Sequence, residues 1–382
     1  MTYILSNLCS YAKGKIDVAA LNENTYISTE NMMPNKAGIT SASSLPTIKQ
    51  VQAFLEGDVL VSNIRPYFKK IWLAEFDGGC SNDVLVFRAK NGVNKRFLYY
   101  VLADDMFFDY SMATSKGTKM PRGDKKAIME YSVPDYTYEA QEKIAGILEL
   151  LDKKIQINTE ENENLAQQAQ AIFVNMFAEN EAVIPATIAD VSLNVTDGVH
   201  NTVHDDPEGE FFLLSCKNIK GGSLSIGSSE RRISFNTFEK LRRRTKLSKG
   251  DVLISSVGTI GELLLLNVEP TNYEFQRSVA MIKPNPDIVS PAYLYESLIF
   301  KKSELINAAH GAVQQCLFIS DIAGFPIGIP QSDELRNYDA IVAPMFDTIS
   351  ANVAENLRLA EIRDALLPKL MSGELDVSNL TL

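Results

Sequence analysis

The chain has 382 residues, of which 45% are apolar, 22% charged and 9% aromatic. That length suits two globular domains, and the composition excludes a disordered chain, a collagen-like chain and a disulfide scaffold. The formal net charge is −11, from 37 Lys and Arg against 48 Asp and Glu, which argues against a simple basic nucleic-acid binder.

The N-terminal run Met1-Thr2-Tyr3-Ile4-Leu5-Ser6-Asn7 has no basic or long apolar stretch and reads as no signal peptide. The four cysteines, Cys9, Cys80, Cys216 and Cys316, form no CxxC pair, so neither a redox motif nor a zinc motif is read and a reducing compartment is expected. The most apolar stretch, Val252 to Val268, contains Glu262, Gly258 and Gly261 and is too interrupted for a membrane span. A cytoplasmic protein without membrane contact is therefore expected.

Along the chain, short runs rich in Val and Ile predict strands at Asp58–Ile64, Asp83–Phe87, Asp251–Ser256, Leu263–Leu266 and Ser278–Ile282. Lys95–Phe108 and Pro291–Asn307 predict helices, the second with Ser290 as N-cap and Pro291 at its first position. The elements recur. Gly57-Asp58-Val59-Leu60-Val61-Ser62 matches Gly250-Asp251-Val252-Leu253-Ile254-Ser255 at an offset of 193 residues. Phe97–Leu102 resembles Tyr293–Leu298, and Val133-Pro134 matches Ile329-Pro330, both at 196. Asn162–Ala166 matches Asn356–Ala360 at 194. Four landmarks in one order at nearly one offset predict a duplicated chain. Its expected segments are 1–138 and 183–331, both mixed α and β, followed by helical segments 139–182 and 332–382.

The helical segments carry a coiled-coil spacing of four and three. In the first it runs through Leu148, Leu151, Ile155, Asn158, Asn162 and Leu165, and in the second through Ile349, Asn352, Asn356 and Leu359. The Asn pair repeats at 194, and a polar residue in such a seam fixes register at a cost in stability. A 40-residue helix would be about 60 Å long, more than one domain of this size can cover. The two helices are therefore expected to pack antiparallel, with the globular domains related by a pseudo-twofold axis. Pro344 and Pro368 predict kinks or ends in the second helix, and Arg363 interrupts its seam.

Signals for catalysis are missing. There is no Asn/Asp-Pro-Pro-Tyr motif and no phosphate loop, and Gly258-Thr259-Ile260-Gly261 reads as a hairpin turn. His200 and His204 lie in a polar loop without a third ligand, so no metal site is read. Charge is unevenly spread. Residues 1–138 carry +2, 139–182 carry −6, 183–331 carry −2 and 332–382 carry −5. The helical segments thus hold the whole deficit. Basic residues cluster locally in the globular segments: Arg65, Lys69 and Lys70 around Tyr67 and Phe68; the loop 115–126; Arg231 and Arg232; and Lys240, Arg242, Arg243, Arg244, Lys246 and Lys249. Gly-punctuated basic loops suit phosphate contact and groove entry.

Three stretches carry a resemblance to a known family. They are Glu139–Phe173 (EAQEKIAGILELLDKKIQINTEENENLAQQAQAIF), Asn356–Leu375 ending ALLPKLMSGEL, and the paired Gly-Asp-Val-Leu strands with Arg65-Pro66-Tyr67 in one half and Gly258-Thr259-Ile260-Gly261 in the other. Together they resemble the specificity (S) subunit of type I restriction–modification enzymes. The resemblance implies a non-catalytic DNA-recognition subunit with two target-recognition domains, each reading half of a split site in double-stranded DNA. The helices would set the spacer, and two methyltransferase (modification) subunits and a restriction/translocase subunit would dock there. S-adenosylmethionine and ATP with magnesium would be bound by those partners, with no cofactor in this chain. The other reading of the same features is a coiled-coil scaffold that does not itself contact DNA.

On the DNA-recognition reading, the expected contacts in the first domain are Arg65, Lys69, Lys70, Ser115, Lys116, Thr118, Lys119 and Arg122. In the second they are Lys217, Asn218, Arg277, His310, Gln314 and Gln315. His310–Gln315 matches the basic loop of the first domain, because Gly117 and Gly311 differ by 194, and its amides suit adenine edges.

Overall fold

A computed structural model describes residues 2–178, 183–227, 230–311 and 315–377. The architecture is mixed α and β, with two globular parts and two long helices, Tyr138–Phe177 and Ser332–Ser372. It divides into two compact units. One comprises Met1–Ile155 with Arg358–Leu382, the other Gln156–Leu357.

The first unit is built on an antiparallel four-stranded sheet in the order Cys9–Tyr11, Val84–Ala89, Val59–Ser62, Ile71–Leu73. All four residues of Val59–Ser62 are buried, as expected of a central strand covered on both faces. One face packs on the helices Lys95–Ala103 and Asp105–Ala113 through Phe97, Leu98, Phe107 and Phe108. A second sheet, ordered Lys15–Asp17, Gln50–Phe54, Gly78–Cys80, Tyr26–Ile27, shares a smaller core with Trp72 and Leu60. The helix expected over Lys95–Phe108 is interrupted at Asp104. That residue is extended, with ψ 137°, and its carboxylate accepts from the Met106 amide at 3.2 Å, so it caps a new helix.

The second unit repeats the plan. Its four-stranded sheet runs Ser192–Asp197, Val279–Pro284, Val252–Ser255, Leu263–Leu265, with the same antiparallel pairing. Gly258 and Gly261 turn the hairpin with φ of +81° and +82°, a region that favours glycine. The expected helix over Pro291–Asn307 is likewise two, Pro291–Phe300 and Lys302–Asn307, separated by Lys301 at φ −94°, ψ 15°.

In each unit, segments of the two long helices pack antiparallel. In the first, Tyr136 donates to the Leu370 carbonyl at 2.5 Å and Arg363 pairs with Asp152 at 2.9 Å. Arg363 therefore occupies its seam position as half of an ion pair. In the second, Asn158 Nδ2 donates to Asn356 Oδ1 at 2.9 Å and Glu355 Oε2 at 2.8 Å. Asn352 Nδ2 donates to Asn162 Oδ1 at 3.0 Å and Glu161 Oε2 at 2.8 Å. The four bonds interchange under a shift of 194 residues, so a local twofold relates the two helices at this clasp. Leu148 and Ile349 are buried, while Leu151, Ile155, Leu165 and Leu359 are half-buried.

The second helix does not end at its prolines. Each removes one backbone donor, but the residues four positions earlier, Ala340 and Asp364, are exposed, where water can take the freed carbonyl.

Candidate nucleic-acid interface

Beyond the central strand of each main sheet lies the same pinned loop. In the first unit Ile64 bridges Arg122, and Arg122 bridges Lys116 through amide–carbonyl bonds of 2.9 Å in both directions. The Gly123 amide donates to the Asn63 carbonyl at 3.2 Å, and the Arg65 amide to the Pro121 carbonyl at 2.8 Å. In the second unit Val257 bridges Cys316, Cys316 bridges His310, and the Leu317 amide donates to the Ser256 carbonyl at 2.9 Å. Gly117 and Gly311 turn the two loops at φ +93° and +125°. The loops expected to correspond from sequence are thus held by corresponding bonds, although their residues differ in charge.

Most basic side chains of the first loop region are already engaged. Lys69 and Lys36 both pair with Asp105 at 2.8 Å. Burial opposes the Asp105 charge, yet these two lysines hold its carboxyl below the usual range. Lys70 Nζ donates to the Thr29 carbonyl at 2.6 Å and lies 5.8 Å from the Phe68 ring centre. Burial lowers its pKa. Lys116 pairs with Asp124 at 2.5 Å, holding that carboxyl down at about 2, and Arg122 pairs with Asp83 at 3.2 Å. Ser115 Oγ donates to the Met112 carbonyl at 2.7 Å. Thr118 and Lys119 are exposed at the loop tip. Arg65 is half-buried, and its Nε is buried without a hydrogen-bond partner.

In the second unit Lys217 pairs with Glu230 at 3.0 Å. Asn218 is 3% exposed, its amide spent on the Ser215 amide and the Ser225 carbonyl, both at 2.9 Å. It is a structural residue, so the structure takes it off the contact surface. Arg277 and Gln315 are exposed. His310 stacks on Phe318, ring centres 6.5 Å apart, with Nε2 3.7 Å from Asp321. Gln314 lies outside the described residues.

Of the further basic run, Arg242 is consumed internally: it pairs with buried Glu274 and donates to the carbonyls of Pro270 and Tyr273 at 2.6 and 2.9 Å. Arg244 donates to the Asp197 carbonyl at 2.7 Å, and Arg231 pairs with Asp205. The acids that occupy these cations lie up to 69 residues away in sequence, as with Lys36 and Asp105, so sequence reading could not find them. Only Asp124 lies inside the loop it neutralises.

Comparison with known proteins gives one consistent likeness. Residues 1–167 match the model of the type I restriction modification DNA specificity domain. The MjaIX specificity subunit of Methanocaldococcus jannaschii is 27% identical over 321 residues, covering 76% of this chain and 71% of that protein. The HindI specificity subunit of Haemophilus influenzae is 23% identical, with 98% of this chain and 99% of the relative covered. The chain is thus similar to type I restriction–modification specificity subunits, along nearly its whole length in one case. Its fold is also that of the S subunit crystal structure from M. genitalium, which superposes with a TM-score of 0.54 at 15% identity over 97% of this chain and 96% of that one. Among the described residues no cluster of three or more His, Cys, Asp or Glu is placed to hold a metal, and no helix is long and apolar enough to cross a membrane.

Proposed function

We propose that this chain acts as a specificity subunit and reads a split site in double-stranded DNA, with residues 1–138 and 183–331 each taking one half-site. The observation that carries this reading is the duplicated pinned loop: one scaffold, built twice, presents two loops of different chemistry. A split site needs that arrangement, whereas the scaffold reading gives it no purpose. Arg65, Thr118 and Lys119 in the first half, and Arg277, His310 and Gln315 in the second, are the predicted side chains free enough to reach DNA. Lys69, Lys70, Lys116, Lys217 and Arg122 contribute to the local field while staying tied to their own partners.

The acidic helical segments 139–182 and 332–382 would receive two methyltransferase subunits and a restriction/translocase subunit. S-adenosylmethionine and ATP with magnesium would be bound there, outside this chain. Co-expression with the cognate methyltransferase, followed by single-molecule mapping of methylated adenines, tests the reading. A motif of two specific parts separated by unspecified bases is expected. A continuous motif, or no motif, would sink it.

A further inference from the structure

The two loop regions align residue by residue through Ser62 and Ser255, Ile64 and Val257, and so Arg65 and Gly258. At that shared position both halves adopt the left-handed region, Gly258 at φ +81° and Arg65 at φ +50°. Glycine enters this region freely, but an L side chain is strained there. Arg65 is doubly misplaced, because it precedes Pro66 and that neighbour favours extended backbone. It also carries a second cost. Its Nε is buried without a partner, and its guanidinium makes no ion pair among the described residues. The cations around it, Lys69, Lys70, Lys116 and Arg122, are all engaged. An arginine that strains the backbone and leaves its donors idle, where the twin domain uses glycine, stabilises nothing visible in the free protein.

We propose that Arg65 is the base-reading residue of the first recognition domain, donating through its guanidinium to O6 and N7 of a guanine in the major groove. This rests on the split-site reading above. The Arg65 amide bond to the Pro121 carbonyl fixes its backbone at the junction of strand end and loop, so the side chain arrives pre-positioned. Gly258 offers no side chain, so the second half must read its bases with other loop residues.

The test uses the full chain co-expressed with its methyltransferase subunits. Wild type, Arg65→Gly, Arg65→Lys and Lys119→Ala are compared by mapped methylation and by thermal unfolding. Arg65→Gly should unfold no earlier than wild type, because the strain is gone. Methylation of the wild-type motif should nevertheless fall about tenfold or more, with guanine preference lost at one position of one half-site and the other half unchanged. Arg65→Lys keeps the charge but not the fork, and should relax the same position. Lys119→Ala should weaken binding evenly and leave the motif intact. Unchanged methylation in Arg65→Gly beside an intact wild-type motif would overturn the assignment alone. So would a fall in unfolding temperature with uniform loss at all positions. A wild type that methylates no split motif would instead sink the functional reading, and this assignment with it.

Discussion

The two globular parts share their buried polar pins and differ in what surrounds them. Asp58 accepts from Arg88 at 2.8 and 2.6 Å and from the Leu55 amide at 2.8 Å. Asp251, its twin, accepts from Lys283 at 2.7 and 3.0 Å and from the Ser248 amide at 3.0 Å. Beyond the pins the domains part. In the first, the strand Gln50–Phe54 pairs with the edge of Gly78–Cys80. In the second, the helix Phe235–Thr245 packs there against Tyr273–Phe275, with Thr245 and Arg242 bonded to Glu274. A duplicated domain can thus change an entire peripheral element while the carboxylate that fixes its central strand stays in place. Burying an unpaired charge costs more than rebuilding an exposed edge.

The largest expected difference between the halves is a pH effect. Tyr100 in the first unit donates to Asp152 at 2.7 Å, and Asp152 also holds Arg363. The matching position in the second unit is Glu296, 1% exposed, whose carboxyl burial pushes up to about 8. Tyr338 lies close enough to feel its charge, and the Tyr338 hydroxyl is itself buried without a partner. Folded protein therefore keeps a proton on Glu296 that the unfolded chain releases above its ordinary value of 4.5. Stability of the second unit should be full below that value and fall by about 3–5 kcal/mol as pH rises to about 8. Glu296→Gln should abolish the slope. Trp72, the sole tryptophan, sits in the first unit, so its fluorescence reports that unit while circular dichroism reports both. A pH-dependent urea transition seen by dichroism and absent from Trp72 fluorescence is expected. An equal slope in both signals, or one that survives Glu296→Gln, would break the assignment.

The shared pins come next in size. Asp58→Ala and Asp251→Ala each remove a buried carboxylate and strand a cation, and each should cost about 2–3 kcal/mol. The figure sits below that for a fully buried pair because the Arg88 and Lys283 side chains keep 37% and 24% of their exposure. The loss for Asp58→Ala should appear in Trp72 fluorescence, and that for Asp251→Ala in dichroism alone. A cost under about 0.5 kcal/mol for one and not the other would show that the halves no longer share this device.

Much of this architecture was legible in the sequence because the duplication is. The Gly-Asp-Val-Leu strands lie at an offset of 193 and the two Asn pairs and the matching Gly117 and Gly311 at 194, and local patterning agrees with the fold there. The helix breaks at Asp104 and Lys301 were hidden, because apolar periodicity runs on across a one-residue interruption. For the contact surface the sequence showed where cations cluster, but not which were spent. Asn218 read as a polar loop residue, yet its amide ties down two backbone groups. Arg242 read as part of an exposed run, yet it answers a buried glutamate 32 residues away. Such pairings depend on tertiary contact and leave no local signal. The peculiarity of Arg65 likewise needed a backbone angle, and the glycine opposite it in the alignment, to become visible.

The smallest effect concerns the helix clasp, where the local twofold is nearly but not fully kept. Asn158 and Asn352 donate to equivalent Glu and Asn partners, so truncating either removes an equivalent pair of bonds. Asn158 differs in one respect, since its own Oδ1 is buried without a partner. Asn158→Ala removes that orphan along with the donor, whereas Asn352→Ala removes only useful bonds. Both should destabilise the second unit by about 1–2 kcal/mol, with Asn352→Ala the more costly by a few tenths. Urea midpoints followed by circular dichroism measure the two. Equal costs would mean that the orphaned oxygen finds water in solution, and a larger cost for Asn158→Ala would show that the register of the pair depends on the first helix more than the second.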